Sequence, residues 1–492
     1  MLLSITGAAA GLDSPLADAA RSQDREAVRA LLGEKADANA PQGDGATALA
    51  WASYWDDLET ADLLIRAGAN PDAANDYGVS PLSLACNNGS AGMVERLLKA
   101  GANPQITQEN GQTPLMLCAQ TGNVAAVKLL LDSRADVNSR ENGRRQTALM
   151  AAAAGKYPEV VQALIERGAD VNARSETGFT ALMFAAQQGD IVSIQKLLAR
   201  GAQGARINET APSYGSALTV AAASHHEEAA LFILEQGADP NIADGNGITP
   251  LHYAEAQGIG NMIGTAREVF DGHYKPRPAN MPLLNRALVA RGANVNAQIQ
   301  KHLVTWWTTE AYRGPGLPRD AMVGTTSFLL SAMAGDVEFM KVLLAAGANP
   351  WVSSKGGITP LVAAAGGGWD SYRSKEEEEK ALAAVKLLLE LGADVNQATT
   401  AGNTAMHAAA YTGAESILRF LVSMGGNVNV KNNGGESPWT MAAGLSPNSM
   451  STYAVHDETA ALLVQLGATV LTPQEIEIVK RGGFRALGGT RR

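Results

Sequence analysis

An Ala-Asp or Ala-Asn pair, mostly preceded by Gly, returns through this chain at an almost constant interval. Its alanine stands at Ala36, Ala69, Ala102, Ala135 and Ala169, so that successive copies lie 33, 33, 33 and 34 residues apart. Further copies fall at Ala238, Ala293, Ala348 and Ala393, while Ala202, Gly426 and Ala468 hold the same place in altered pairs. A second motif keeps the same phase: Thr47-Ala48-Leu49, Ser80-Pro81-Leu82, Thr113-Pro114-Leu115, Thr180-Ala181-Leu182, Thr249-Pro250-Leu251 and Thr359-Pro360-Leu361. Two motifs locked to one period constrain the fold more than composition does, because a period of this length marks a stack of identical supersecondary units.

The unit is clearest from Thr113 to Asn138. Two apolar segments, Leu115 to Ala119 and Val124 to Leu131, predict two helices of about ten residues joined at Gly122. Thr113 supplies an N-capping hydroxyl, Pro114 presets φ for the first turn, and Gly122 can take the left-handed conformation that ends a helix. Helices this short are unstable alone in water, so each unit needs copies on both sides.

This pattern resembles the ankyrin repeat, over roughly Ser14 to Val470 and about twelve copies. The resemblance implies an all-α repeat solenoid of helix pairs joined by β-turn fingers, with a concave face of finger residues and first helices. Repeats one to six, residues 14–215, run almost without insertion; repeats seven to twelve, residues 216–470, are interrupted near 258–280, 297–325, 366–380 and 445–456. Insertions in a stack emerge as loops and leave the core in place, so they are candidate sites of added function. The one at 297–325 carries Trp306 and Trp307, both expected partner-binding residues, and reads as a hairpin-like projection beside the groove. The acidic run Glu376 to Glu379 suits the positive end of a helix dipole. Thr472 and Glu475 have capping-box spacing, which predicts a terminal capping helix within residues 471–492, ahead of a basic tail.

A net charge of −10 disfavours nucleic acid or an anionic membrane as partner. No apolar run reaches the length of a membrane span. The expected partner is a protein and the expected state a monomer. Residues 1–13 read either as the remnant of an export signal, with Ala8-Ala9-Ala10 as its cleavage-like end, or as an N-terminal cap; export is the favoured reading. Cys86 and Cys118 lie in first helices of adjacent repeats but one position out of register, and packed helices are about 10 Å apart. Two buried thiols are therefore expected, not a bridge.

No catalytic constellation emerges. His225-His226-Glu227-Glu228 lacks the second His of a metalloprotease helix, because Ala230 stands there, and reads as the loop between two helices. His252 and His407 fall three residues after the motif Thr, where the resemblance implies a structural bridge to the neighbouring finger. No metal and no cofactor are expected.

The binding expectation is firmer. In an ankyrin repeat the positions seven and eight after the motif Thr, and those at the finger tip, point into the groove. Here they include Tyr54, Trp55, Asn87, Asn88, Gln120, Gln187, Gln188 and Tyr411 on first helices, with Asp76, Tyr77 and Phe179 on fingers. Tip acids Asp44, Asp76, Glu109 and Glu176 would add specificity. The set is aromatic and amide-rich, as protein-binding hot spots are. A non-enzymatic scaffold for a protein partner is the leading expectation. The alternatives are a polysaccharide-binding scaffold and an enzyme with a pocket built by the insertions around Trp306, Trp307, His273 and His302.

Overall fold

The structure is a computed structural model, and it describes residues 14–199, 204–255, 269–270, 273–274, 280–301, 323–366, 374–445, 455–482 and 484. Its contacts divide the chain into two units, Met1–Pro212 and Ser213–Arg492.

Unit 1 is built of helix pairs: Pro15–Arg21 with Arg25–Gly33, Ala48–Tyr54 with Leu58–Arg66, Pro81–Asn87 with Ala91–Lys99, Pro114–Thr121 with Val124–Asp132, Ala148–Ala154 with Pro158–Glu166, and Ala181–Gln188 with Ile191–Leu198. The motif hydroxyl opens each first helix, as where Thr113 Oγ1 accepts the Met116 N–H at 3.3 Å. Gly122, at φ 75°, closes that helix in the left-handed region. Leu49, Leu64, Leu82, Leu97, Leu130 and Leu164 are wholly buried between the pairs. Each such side chain contributes about 1.5–3 kcal/mol through removal from water. Each first helix packs on the first helices of its neighbours as well as on its own partner, so a lone pair would lose part of that burial.

Two further systems of bonds run along unit 1. At the finger tips the Asp76 N–H donates to Asp44 C=O at 3.0 Å, Glu109 N–H to Tyr77 C=O at 3.3 Å, and Asn142 N–H to Asn110 C=O at 2.8 Å. The tips are therefore stitched backbone to backbone. Gly78, at φ +72°, sits where a Cβ would meet the backbone of Gln108 and Glu109 at 3.1–3.2 Å, so a larger residue would push adjoining fingers apart.

The second system is a carboxamide clasp. Asn39 Nδ2 donates to Gly68 C=O at 3.1 Å while its Oδ1 accepts the Asn70 N–H at 2.6 Å. Asn138 does the same to Gly168 and Asp170. The Asn two residues beyond the repeating Ala-Asp pair thus satisfies backbone groups of the next repeat. On the second helices Arg25 pairs with Asp57 at 2.8 Å and, together with Arg29, with Glu59. These exposed charges of the first repeat reach across to the second repeat.

The expectation of two free thiols is overturned. Cys86 and Cys118 form a disulfide, with their Cα atoms 4.4 Å apart. The 10 Å helix spacing applies to large interface side chains; here the first helices carry Ala85 and Ala119 beside the cysteines, both wholly buried, and approach more closely. The one-position offset faces one sulfur to the other instead of parting them.

Unit 2 repeats the same pair: Ala217–Ala223 with Glu227–Glu235, Pro250–Ala254 with Pro282–Ala290, Ser327–Ala334 with Val337–Ala345, Pro360–Gly366 with Lys375–Glu390, Ala405–Thr412 with Glu415–Ser423, and Pro438–Ala442 with Asp457–Gln465. The helix Pro473–Gly482 follows, its start closed by the Thr472 N–H donating to Glu475 at 2.7 Å and the Glu475 N–H donating to Thr472 at 3.3 Å. Val479 on it and Phe484 beyond it are buried. Glu376 to Glu379 do begin a helix, where Ser374 and Glu377 form a capping box and Lys380 pairs with Glu376 at 2.8 Å.

Insertions leave the stack at closed necks. The first lies between the two helices of its repeat, and the Met281 N–H donates to Ala254 C=O at 2.9 Å across its base. Ile299 and the segment Gly324–Thr325 bond to each other across the base of the second, at 3.0 and 2.8 Å. Within the first, Val269–Phe270 pairs antiparallel with His273–Tyr274, Val269 opposite Tyr274. The hairpin expected at 297–325 falls mainly on residues outside those described, as do Trp306, Trp307 and His302. The clasp continues regardless: Asn241 reaches Gly292 and Asn296 reaches Gly347, in each case 51 residues away, where Asn138 reaches Gly168 over 30.

Candidate partner-binding surface

The aromatic side chains of repeats one to three in unit 1 stand apart from the Ala and Leu around them. Tyr54, Trp55 and Tyr77 are 47%, 43% and 60% exposed. Tyr54 and Trp55 are held in place all the same. Tyr54 and Trp55 meet edge to face at 4.8 Å, and Trp51 meets Tyr54 at 5.8 Å. The Trp55 indole N–H donates to Arg21 C=O at 2.9 Å, a helix-end carbonyl without an intrahelical donor. The Trp51 N–H donates to Gln42 Oε1 at 2.8 Å, and the Gln42 amide donates to Asp18. Gln42 belongs to the finger whose tip is Asp44, so one indole ties the helix wall to the finger row. Asp44 adjoins Asp76, and Tyr77 adjoins Glu109, through the tip bonds described above. The Arg21 guanidinium lies 5.1 Å from the centroid of Trp51, a cation–π contact.

Other expected groove residues divide. Asn87, Gln120 and Gln187 are exposed, as is Asp76, while Gln188 is half-buried. Asn88 is exposed, but its amide donates to Ser53 C=O and Tyr54 C=O at 3.0 and 2.7 Å. It serves as a cap for the helix of the preceding repeat, so its donor is not offered to a partner. Phe179 is a correction: it is only 5% exposed and packs on Phe184 at 5.2 Å, because a second aromatic five residues on draws it into the stack. In unit 2 Tyr411 is half-buried, and its carbonyl lies 3.1 Å from His456 Nε2.

The histidine pair reads as expected: His225 takes φ 58° in the turn and His226 precedes the helix Glu227–Glu235. His407 is a bridge, with Nδ1 accepting the Thr404 N–H and Nε2 reaching Glu436 C=O of the next finger, both at 3.1 Å. Nε2 must then carry the proton, which makes the ring neutral, and burial holds its pKa down at about 4. His252 is wholly buried in the same position, and burial again lowers it to about 4.

Sequence reasoning missed a buried polar cluster in unit 2. Glu255, wholly buried, accepts from Asn285 Nδ2 and, at 3.2 Å, from Asn280 Nδ2; the Asn280 amide also donates to Asp336 at 3.2 Å. Burial, then the Asp336 charge, push the Glu255 carboxyl up to about 8. Asn285 Oδ1 is buried without a partner. Nothing in the sequence marks Glu255 as interior, since the first insertion begins near 258, just beyond it. Among the described residues no group of three His, Cys, Asp or Glu could hold a metal ion, and no helix is long and apolar enough to cross a membrane.

The family profile described as "Ankyrin repeats (3 copies)" matches residues 16–108, 57–141, 82–175, 149–244, 182–265, 328–432 and 377–472. A stretch of 115 residues, 23% of the chain, is 35% identical to a Drosophila melanogaster protein described as "Ankyrin repeat and KH domain-containing protein mask". That stretch spans 3% of the length of the Drosophila protein.

Proposed function

Since this chain belongs to the ankyrin-repeat family, we propose that it is a non-enzymatic scaffold that captures a protein partner on the finger tips and first helices of unit 1. Ankyrin repeats generally act as protein–protein interaction scaffolds and are typically without catalytic activity. The observation that carries the reading is the exposed set Tyr54, Trp55 and Tyr77, of which Tyr54 and Trp55 are fixed by edge-to-face packing and Trp55 also by an indole hydrogen bond. Rigid aromatic side chains lose little entropy on binding and dominate interface energetics. Asn87 and Gln120 supply amides beside them.

The test is capture from the native source with tagged full-length chain, comparing wild type with Trp55→Ala combined with Tyr77→Ala. Retention of the partner should fall at least tenfold while the unfolding midpoint changes little, Trp55 surrendering one partly exposed hydrogen bond. Undiminished capture with a lowered midpoint would make these packing residues and remove the proposal.

The Cys86–Cys118 bridge supports an oxidising compartment as the place of action, since such bonds persist outside the reducing cytosol. Mass spectrometry of the non-reduced native protein checks this, and free thiols on both residues would count against it.

A further inference from the structure

The finger row of unit 1 changes sign along its length. The tips of repeats one to three carry Asp44, Asp76 and Glu109 and no Lys or Arg, and Asp18 and Asp56 are exposed beside the aromatic patch. The next tip carries Arg140, Arg144 and Arg145. Its one acid, Glu141, is occupied by its own turn, accepting the N–H groups of Gly143, Arg144 and Gln146 at 2.6–3.0 Å. Among the described residues of unit 1 the exposed aromatics lie on the acidic part alone. From Trp55 through Tyr54, Trp51 and Gln42 to the Asp44 finger, and on to Asp76, Tyr77 and Glu109, the groups are joined by the ring contacts and hydrogen bonds given above. The patch already seats one cation on an indole face, that of Arg21.

Resting on the scaffold reading, we propose that the partner engages repeats one to three through an extended segment bearing Lys or Arg side chains. These lie over the exposed Tyr and Trp rings and pair with Asp44, Asp76 and Glu109. Ring faces attract cations and the tip carboxylates add opposite charge, so each basic side chain meets both. The Arg140, Arg144 and Arg145 tip repels the same side chains, which confines them to the aromatic end and fixes the register of the segment.

The probe is a fluorescent 12-residue peptide with four Lys or Arg residues spaced by Gly, Ser and Leu, paired with a twin carrying Glu at those four positions. Anisotropy is read with the full-length chain. The basic peptide should bind, its twin should not, and affinity should fall as salt rises. Asp44→Asn, Asp76→Asn and Glu109→Gln together should weaken binding about tenfold. A control that removes as much charge from exposed acids elsewhere, Glu34→Gln, Glu159→Gln and Glu235→Gln, should change it less than twofold. Equal loss in both triples would mean bulk attraction to an acidic protein and overturn the proposal, as would unchanged binding in the first triple. Should that triple fail to fold by circular dichroism, Asp76→Asn and Glu109→Gln are read singly, each expected to cost about twofold. The native partner separates the two claims. If its capture needs Trp55 and Tyr77 but ignores the charge triple, the scaffold reading stands and the basic segment falls; if it needs neither, both fall.

Discussion

Unit 1 and unit 2 use one helix pair and one clasp, yet they place their polar groups differently. In unit 1 charge and aromatic surface lie on the rim. Among its described residues the buried polar groups are Ser and Thr hydroxyls, the Cys86–Cys118 bridge and Asp57, whose carboxyl burial would raise but hydrogen bonds from Arg25 and Thr60 bring below its ordinary value. In unit 2 titratable groups lie inside: His252, Glu255 and His407 are buried, and the Tyr253 hydroxyl donates to Asp244 at 2.8 Å with its pKa driven well above the phenol range. Uninterrupted repeats have only their own stack to close. Interrupted ones must also close the necks of their insertions, and the Glu255–Asn280 bond joins the two ends of one such neck.

The contrast can be broken most severely in unit 1. Replacing both Cys86 and Cys118 with Ala opens a covalent loop of 32 residues and should cost about 3–4 kcal/mol. Hydrogen exchange should quicken across repeats three and four and stay as it was in unit 2. An equal loss of protection in both units would erase the distinction.

In unit 2 the expected handle is pH. Folded His252 and His407 refuse protons that the unfolded chain takes up below about 6.5, so stability falls as pH drops from there toward 4. Glu255 acts the other way. Its folded carboxyl keeps a proton up to about 8 that the unfolded chain releases near 4.5, so stability falls as pH rises through that window. Glu255→Gln imitates the protonated form, and its amide can donate to Asn285 Oδ1 once that side chain flips. The variant should match wild type near pH 5 and exceed it by roughly 2–3 kcal/mol at pH 8, most of the shift surviving as stability, measured by urea unfolding. A constant difference across pH would show that Glu255 is not the titrating group.

The smallest effect tests what the units share. Asn138→Ala and Asn241→Ala should each cost about 1 kcal/mol, the worth of a lost hydrogen-bond pair at the surface. A markedly larger loss at Asn241, whose acceptor lies 51 residues on, would mean that the interrupted repeats lean on the clasp more heavily.

How much of this was legible depended on whether a residue's role is local. The Ser/Thr caps, the closing Gly and the Thr472–Glu475 box concern groups within a few residues and could be read directly. The disulfide could not, because it depends on how closely two first helices approach, and that is set by small side chains on both. Asn88 had the right repeat position for the groove, but the Ser53 and Tyr54 carbonyls at the end of the previous first helix claimed it. Phe179 followed its neighbour Phe184 inward. Glu255 shows the limit most plainly: its partners Asn280, Asn285 and Asp336 are 25, 30 and 81 positions away, across insertions that break the repeat spacing.

The clasp has one more implication. Its reach is that of a single carboxamide, and it is blind to how much polypeptide intervenes between the residues it joins. Lengthening the chain at a neck therefore leaves the spacing of neighbours untouched, so new segments can be acquired, tried and lost without redesigning the frame that carries them. Novelty in such a protein accumulates at the seams.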